Sequence, residues 1–259
     1  MAATAAPGPG LPLSALFALW FNAMTSGACS PDETRDAVIG GDAAHDVLGL
    51  PGQAEPVPLI LALGRLAKTG SHAGIALPVP GDPLGLAGPA DFNADAMEAG
   101  EAVVFGSGDV GLVPARAGAG VVWSYRSATS RRQVPDRSEA GALLRSTLLT
   151  TVEELAGTAA RGWPMGGSSD DVGDWADDRA DDWADEPHAA GPSGLPPGTD
   201  PRVVSMIRLA TRCRSVVAAG LNRERDASGR PDGQRQQALV ALDRAARRAL
   251  VAACEDAGP

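Results

Sequence analysis

The chain has 259 residues, of which 44% are hydrophobic, and carries a formal net charge of −10. That apolar content is enough for one large domain, or one domain with an appendage, and the acidic balance argues against a general nucleic-acid binder. The three cysteines, Cys29, Cys213 and Cys254, have neither metal-ligand spacing nor a disulfide framework, which suits a reducing cytoplasm.

In chain order, the first element is an apolar run from Leu11 to Met24. It imitates a signal peptide, yet the first 34 residues lack any Lys or Arg for an n-region, and the run is too short to span a bilayer. A buried or amphipathic helix bearing Leu13, Leu16, Phe17, Trp20 and Met24 is the expectation. Ser30-Pro31-Asp32-Glu33 reads as a capping box with proline at the first helical position, opening a helix that stops at Gly40-Gly41. A third helix is expected from about Pro56 to Lys68.

Strands follow. Gly74–Val79 reads as a strand whose Pro78 forfeits a ladder donor and so belongs at a sheet edge or at the strand's frayed end, and Asp82, Pro83 and Gly85 have the positions of a type I turn. After a short helix from Asp91 to Ala99, β runs at 102–105, 110–116 and 121–127 are joined by Gly-rich links, which predicts an antiparallel meander. In the last of these, Val121, Trp123 and Tyr125 alternate with Val122, Ser124 and Arg126, giving one buried and one wetter face. Leu143, Leu144, Leu148, Val152 and Leu155 then mark a helix over 138–161, expected to cover the sheet. Two helices, from Pro201 to about Leu221 and from Gly233 to Cys254, close the chain as an antiparallel hairpin.

Between them lies the chain's most distinctive stretch. Residues 164–199 hold nine acids and one base, and residues 200–259 hold seven acids and eleven bases. An acidic link of net −8 is thus tethered to a basic segment of net +4, which keeps the two at high effective concentration and makes intramolecular acidic-basic pairing the first electrostatic expectation. Within the link, Asp174-Trp175-Ala176-Asp177-Asp178 recurs as Asp182-Trp183-Ala184-Asp185-Glu186, eight residues on, so both indoles can share one face of an induced helix. Acidic segments with interleaved aromatics belong to a type that folds on a partner. The composition also fits a solvated, disordered link.

The chemical signals are weak by comparison. Gly106–Gly111 matches G-x-G-x-x-G, but Leu112-Val113-Pro114 continues as strand where a dinucleotide loop opens a helix, so a hairpin turn is the better reading. Asp91, Asn93 and Asp95 stand at the alternating positions of a calcium loop, whose required glycine and glutamate are here Ala96 and Ala102; capping by Asp91 reads better. Asp82, Asp91, Asn93, Asp95 and Asp109 remain the candidate ligand-binding set at loops 81–93 and 106–111. Trp175, Trp183, Arg208, Arg212, Arg244 and Arg248 are the candidate partner-binding set. The three histidines are dispersed and read as loop or surface residues, and no catalytic, metal or cofactor site is expected.

Leu77-Pro78-Val79-Pro80-Gly81-Asp82-Pro83-Leu84-Gly85-Leu86-Ala87-Gly88-Pro89, followed by Ala96-Met97-Glu98-Ala99-Gly100-Glu101-Ala102-Val103, resembles a family of actinobacterial proteins with no assigned activity. The resemblance covers roughly residues 11–163 and the final helices and implies no functional residues. The expected architecture is α+β: a domain over 1–163 with an antiparallel sheet of about four strands packed by helices, the acidic link at 164–199, and a basic helical hairpin at 200–259 docked on the first domain. The expected function is a non-catalytic cytoplasmic interaction or regulatory protein whose acidic link modulates a basic surface for a protein partner. The alternatives are an enzyme or small-ligand binder with a carboxylate-lined site at the two loops, and a nucleic-acid-associated protein acting through the basic hairpin.

Overall fold

The apolar run after Pro12 forms α1 (Leu13–Thr25), and nearly every side of it is buried: Ala15, Phe17, Ala18, Leu19 and Phe21 are all within the core. The computed structural model describes residues 10–69, 72–106, 109–129, 133–162, 194–226 and 233–255. No helix among them is long and apolar enough to cross a membrane. Trp175, Trp183 and His188 lie outside the described residues.

The capping box at Ser30 forms as read. Glu33 N–H donates to Ser30 Oγ at 3.2 Å, Ser30 N–H donates to Glu33 Oε2 at 2.7 Å, and α2 (Pro31–Ile39) runs to Gly40. Next come β1 (His45–Leu48), β2 (Val57–Pro58) and α3 (Leu59–Thr69). The two strands are absent from the sequence expectation. β1 is short and polar, and β2 occupies positions that the helical reading had absorbed.

The remaining strands are β3 (Ala73–Ala76), β4 (Ala102–Phe105), β5 (Val110–Ala117) and β6 (Gly120–Ser127), with α4 (Ala90–Ala99) between β3 and β4. The sheet has six strands in the order β2-β1-β6-β5-β4-β3, larger than the four expected. It is mixed rather than purely antiparallel: β3 to β6 form the meander, and β1 joins the free side of β6 in parallel, with Val47 opposite Trp123. A parallel neighbour needs a long crossover, so the pairing cannot be read from local turn chemistry.

Alternation along the strands divides the sheet into two faces. Val47, Ile75, Val103, Leu112 and Trp123 enter the main core with α1, while Ala76, Ala102, Val104 and Val113 meet Phe92 and Ala96 of α4 on the other side. Phe17 lies 5.1 Å from Trp123, and Phe21 meets Phe105 edge-on at 5.2 Å. Each such pair contributes about 0.5–1.5 kcal/mol beyond its buried area. Gly111, from the G-x-G-x-x-G run, has a packing role: a Cβ there would stand 2.5 Å from the Phe92 ring.

The C-terminal elements are α5 (Arg137–Gly162), α6 (Pro201–Asp226) and α7 (Gly233–Glu255). α5 does not cover the sheet as expected; it packs along α7. α7 lies against α1 and the edge of β3, and α5 and α6 pack on α7. Cys213 of α6 and Cys254 of α7 are both buried, and neither is in a disulfide.

β3 is one of the two edge strands and ends at Ala76, with Pro78 just beyond it. Its outward backbone groups are met by Asn22 of α1, whose Nδ2 donates to Ala73 O at 2.8 Å while its Oδ1 accepts from Ala73 N at 2.7 Å. Asn22→Ala leaves a buried donor and a buried acceptor unpaired at once and is expected to cost about 2–4 kcal/mol in urea denaturation. A loss below about 1 kcal/mol would show the clamp to be dispensable.

Candidate functional site

The residues after β3 turn back across its open edge. Val79 and Asp82 exchange backbone hydrogen bonds around Pro80-Gly81, with Gly81 at φ +83°, and Leu77 N–H donates to Leu84 O at 3.1 Å. The expected type I turn over 82–85 is replaced by a turn over 79–82, three residues earlier, with glycine at the left-handed position. Gly85, at φ +83°, passes so close to β3 that a Cβ would stand 2.8 Å from Ile75 O. This hairpin fixes Asp82 against α7.

Asp82 is the hub of an ion cluster. Arg247 Nη2 donates to Asp82 Oδ2 at 2.9 Å, Arg244 Nε donates to the same oxygen at 3.2 Å, and Arg248 Nη2 lies 3.5 Å from Oδ1. Arg247 is only 3% exposed, and its other donors reach Leu77 O at 2.9 Å and Asp243 Oδ2 at 2.8 Å. Arg214 Nε lies 3.6 Å from Asp243 Oδ1. Burial resists ionisation of Asp82, but the hydrogen bonds and charges of Arg247 and Arg244 outweigh it and hold the carboxyl below the usual carboxylate range.

Four guanidiniums therefore meet two carboxylates. The surplus is positive and partly wet, since the Arg244 and Arg248 side chains retain 54% and 35% exposure. Both line a groove of about 560 Å³ between α5 and α7, together with Leu143, Thr147, Gln237 and Val240. Leu143 and Val240 are large apolar side chains left 48% and 53% exposed. The groove thus combines an apolar floor with a cationic rim.

The predicted ligand-binding residues are dispersed. Asp82 joins the arginines, Asn93 Oδ1 accepts from Gly88 N at 3.1 Å, and Asp95 pairs with Arg126 at 2.9 Å on the α4 side. Asp91 is exposed in the first turn of α4; Pro89 occupies the cap position, with no side-chain cap bond, so Asp91 does not cap the helix. Asp109 precedes β5 at φ +45°. Among the described residues no group of three or more His, Cys, Asp or Glu is placed to hold a metal. A second cleft, of about 760 Å³, is lined by Asp95, Glu98, Glu101, Arg116 and Arg126 beside α4. Most of its charges are already engaged: Glu101 accepts from Ser14 N at 2.7 Å, and Arg116 pairs with Asp42.

Of the predicted partner-binding residues, Arg208 and Arg212 are exposed on α6, and Arg244 and Arg248 sit in the cluster. Arg247 is not singled out in the sequence, where it is one of the eleven bases of residues 200–259, yet the structure buries it. The available signal was its place in α7, between Ala246 and Leu250 on the apolar side. His45 is likewise buried rather than on a loop or the surface. Its Nδ1 accepts from Trp123 Nε1 at 3.3 Å, so Nε2 carries the proton that Asp42 Oδ2 accepts at 2.9 Å, leaving neither nitrogen for chemistry.

Residues 14–137 match the Rv1486c-like protein, N-terminal domain, and residues 138–251 match the Rv1486c-like protein, C-terminal domain. The chain belongs to the Rv1486c-like family. The Leu77–Pro89 and Ala96–Val103 segments implied an actinobacterial family with no assigned activity, and this is that kind of family. The two matches divide at the start of α5, the helix that packs with α7. Two Mycobacterium tuberculosis relatives, Uncharacterized protein Rv1486c and Uncharacterized protein MT1533, are each 36% identical over 124 residues. That alignment covers 39% of this chain and 43% of each relative, less than half of their length. No solved structure matches.

Because Arg247 is buried with its charge matched by Asp82, truncating it leaves that carboxylate short of a partner and Leu77 O unpaired. Arg247→Ala is expected to destabilise the fold by about 3–5 kcal/mol in urea denaturation. The Asp82 contribution is fully present above the ordinary aspartate value, near ~4, and is lost as pH falls through its depressed folded value. Asp82→Asn should therefore flatten the acid limb of stability against pH; an unchanged limb would remove Asp82 as its source.

Proposed function

We propose that this chain is a non-catalytic cytoplasmic interaction protein in which an acidic segment regulates access to a basic surface on α6 and α7. The observation that carries the reading is the positive surplus around Asp82, where two of the guanidiniums stay open to solvent beside exposed apolar side chains. The carboxylates of Asp82 and Asp243 cannot neutralise four guanidiniums, so the site retains attraction for a further anion. The apolar floor favours an acidic polypeptide over nucleic acid, since the groove offers no aromatic stacking platform for bases. Residues 164–199 supply such a polypeptide at net −8. Three cysteines with no disulfide among them fit a reducing compartment.

Small-angle scattering of the full chain tests this. Raising NaCl from about 0.05 M to about 0.5 M screens the attraction, and the radius of gyration is expected to grow. A salt-insensitive radius would overturn the proposal.

A further inference from the structure

We infer that the groove between α5 and α7 is the seat of this chain's own Asp174–Glu186 segment, with indoles on the apolar floor and carboxylates on Arg244 and Arg248. The inference rests on the preceding reading and assigns its site.

The groove is built for a mixed ligand. Gln236, Val240, Arg244 and Arg248 recur every four residues along α7, forming one strip about 18 Å long. Leu143 and Thr147 of α5 form the facing wall. A simple anion would use the arginines and leave Leu143 and Val240 wet, whereas a purely apolar ligand would leave the arginines unsatisfied. Asp174-Trp175-Ala176-Asp177-Asp178 and its repeat at 182–186 supply both chemistries, with two large apolar rings, each flanked by carboxylates. An indole set on an apolar floor beside a guanidinium also gains a cation–π contact.

The tether permits the assignment. Gly194, where the described chain resumes, accepts a hydrogen bond from the Trp20 indole, so this end is held to α1. Asp178 lies midway between Gly162 and Gly194, about 16 residues from either, an extended reach of roughly 50 Å. A globular chain of this size has a radius of gyration of only ~18 Å. The centre of the tether, where the Trp motifs stand, can therefore reach the groove, and linkage raises its local concentration there.

Arg179 provides the readout, as the sole Lys or Arg between residues 163 and 193. Tryptic cleavage after Arg179 in the full chain, followed by mass spectrometry at low salt, should be slow and should accelerate ~10-fold in Leu143→Glu/Val240→Glu. Both positions are half-exposed, so the fold tolerates the change. Trp175→Ala/Trp183→Ala alters only the segment and should produce the same acceleration. Acceleration by salt or by Arg208→Glu/Arg212→Glu, but not by the groove pair, would move the segment onto α6, overturning this inference while sparing the wider reading. Equal rates in every variant and at every salt concentration would overturn both. Protection that grows with protein concentration would give the groove to the segment of a second copy and overturn the intramolecular assignment.

Discussion

An arginine at 3% exposure is tolerable only if each of its donor directions is met, and Arg247 meets that condition at one place in this fold. Its guanidinium reaches Asp82 on the loop after β3, the Leu77 carbonyl at the strand's own end, and Asp243 one helical turn back. The two outside partners exist only because the chain after β3 folds back over the strand's open edge, which in turn needs Gly81 and Gly85 in the left-handed region. α7 is thereby positioned on the sheet, and α5 and α6 are positioned by packing on α7. The apolar face of α7 packs on α6, α5 and α1, and the ionic cluster fixes where that layer meets the sheet edge.

That edge is protected in two ways. Asn22 answers both backbone groups of Ala73, and the 77–84 hairpin with Arg247 answers the strand's far end. An edge strand with free donors and acceptors is a template for unwanted pairing, and here buried side-chain groups occupy it instead of exposed charges. The same device creates the surface of interest. Asp82 faces three arginines from successive positions of one helix face, and a single carboxylate leaves part of that charge directed at solvent. Structural docking and the cationic rim of the groove are two consequences of one cluster.

Local features of the chain were read correctly where the physics is local. The Ser30–Glu33 box, the stop at Gly40, the meander from β4 to β6 and the inward set Val121 and Trp123 follow from capping, turn chemistry and alternation within a few residues. The parallel addition of β1 to β6 was not legible, because the two strands are separated by more than seventy residues and His45-Asp46-Val47-Leu48 has no strand pattern strong enough to stand alone. α5 was assigned to the sheet on the strength of its apolar spacing, which says that a face is buried but not against what.

The candidate site divides along the same line. Sequence by itself determined the α+β class, the capped start of α2 and the opposed charges of 164–199 and 200–259, since each depends on composition or on spacing within one element. Only the tertiary structure decided that Asp82 serves arginines rather than a ligand, that Arg247 is buried while Arg244 and Arg248 stay wet, and that Leu143 and Val240 share a groove with them. A side chain's charge is written in the chain; its partner and its exposure depend on which distant element folds against it, and here that is settled where α7 meets the edge of β3.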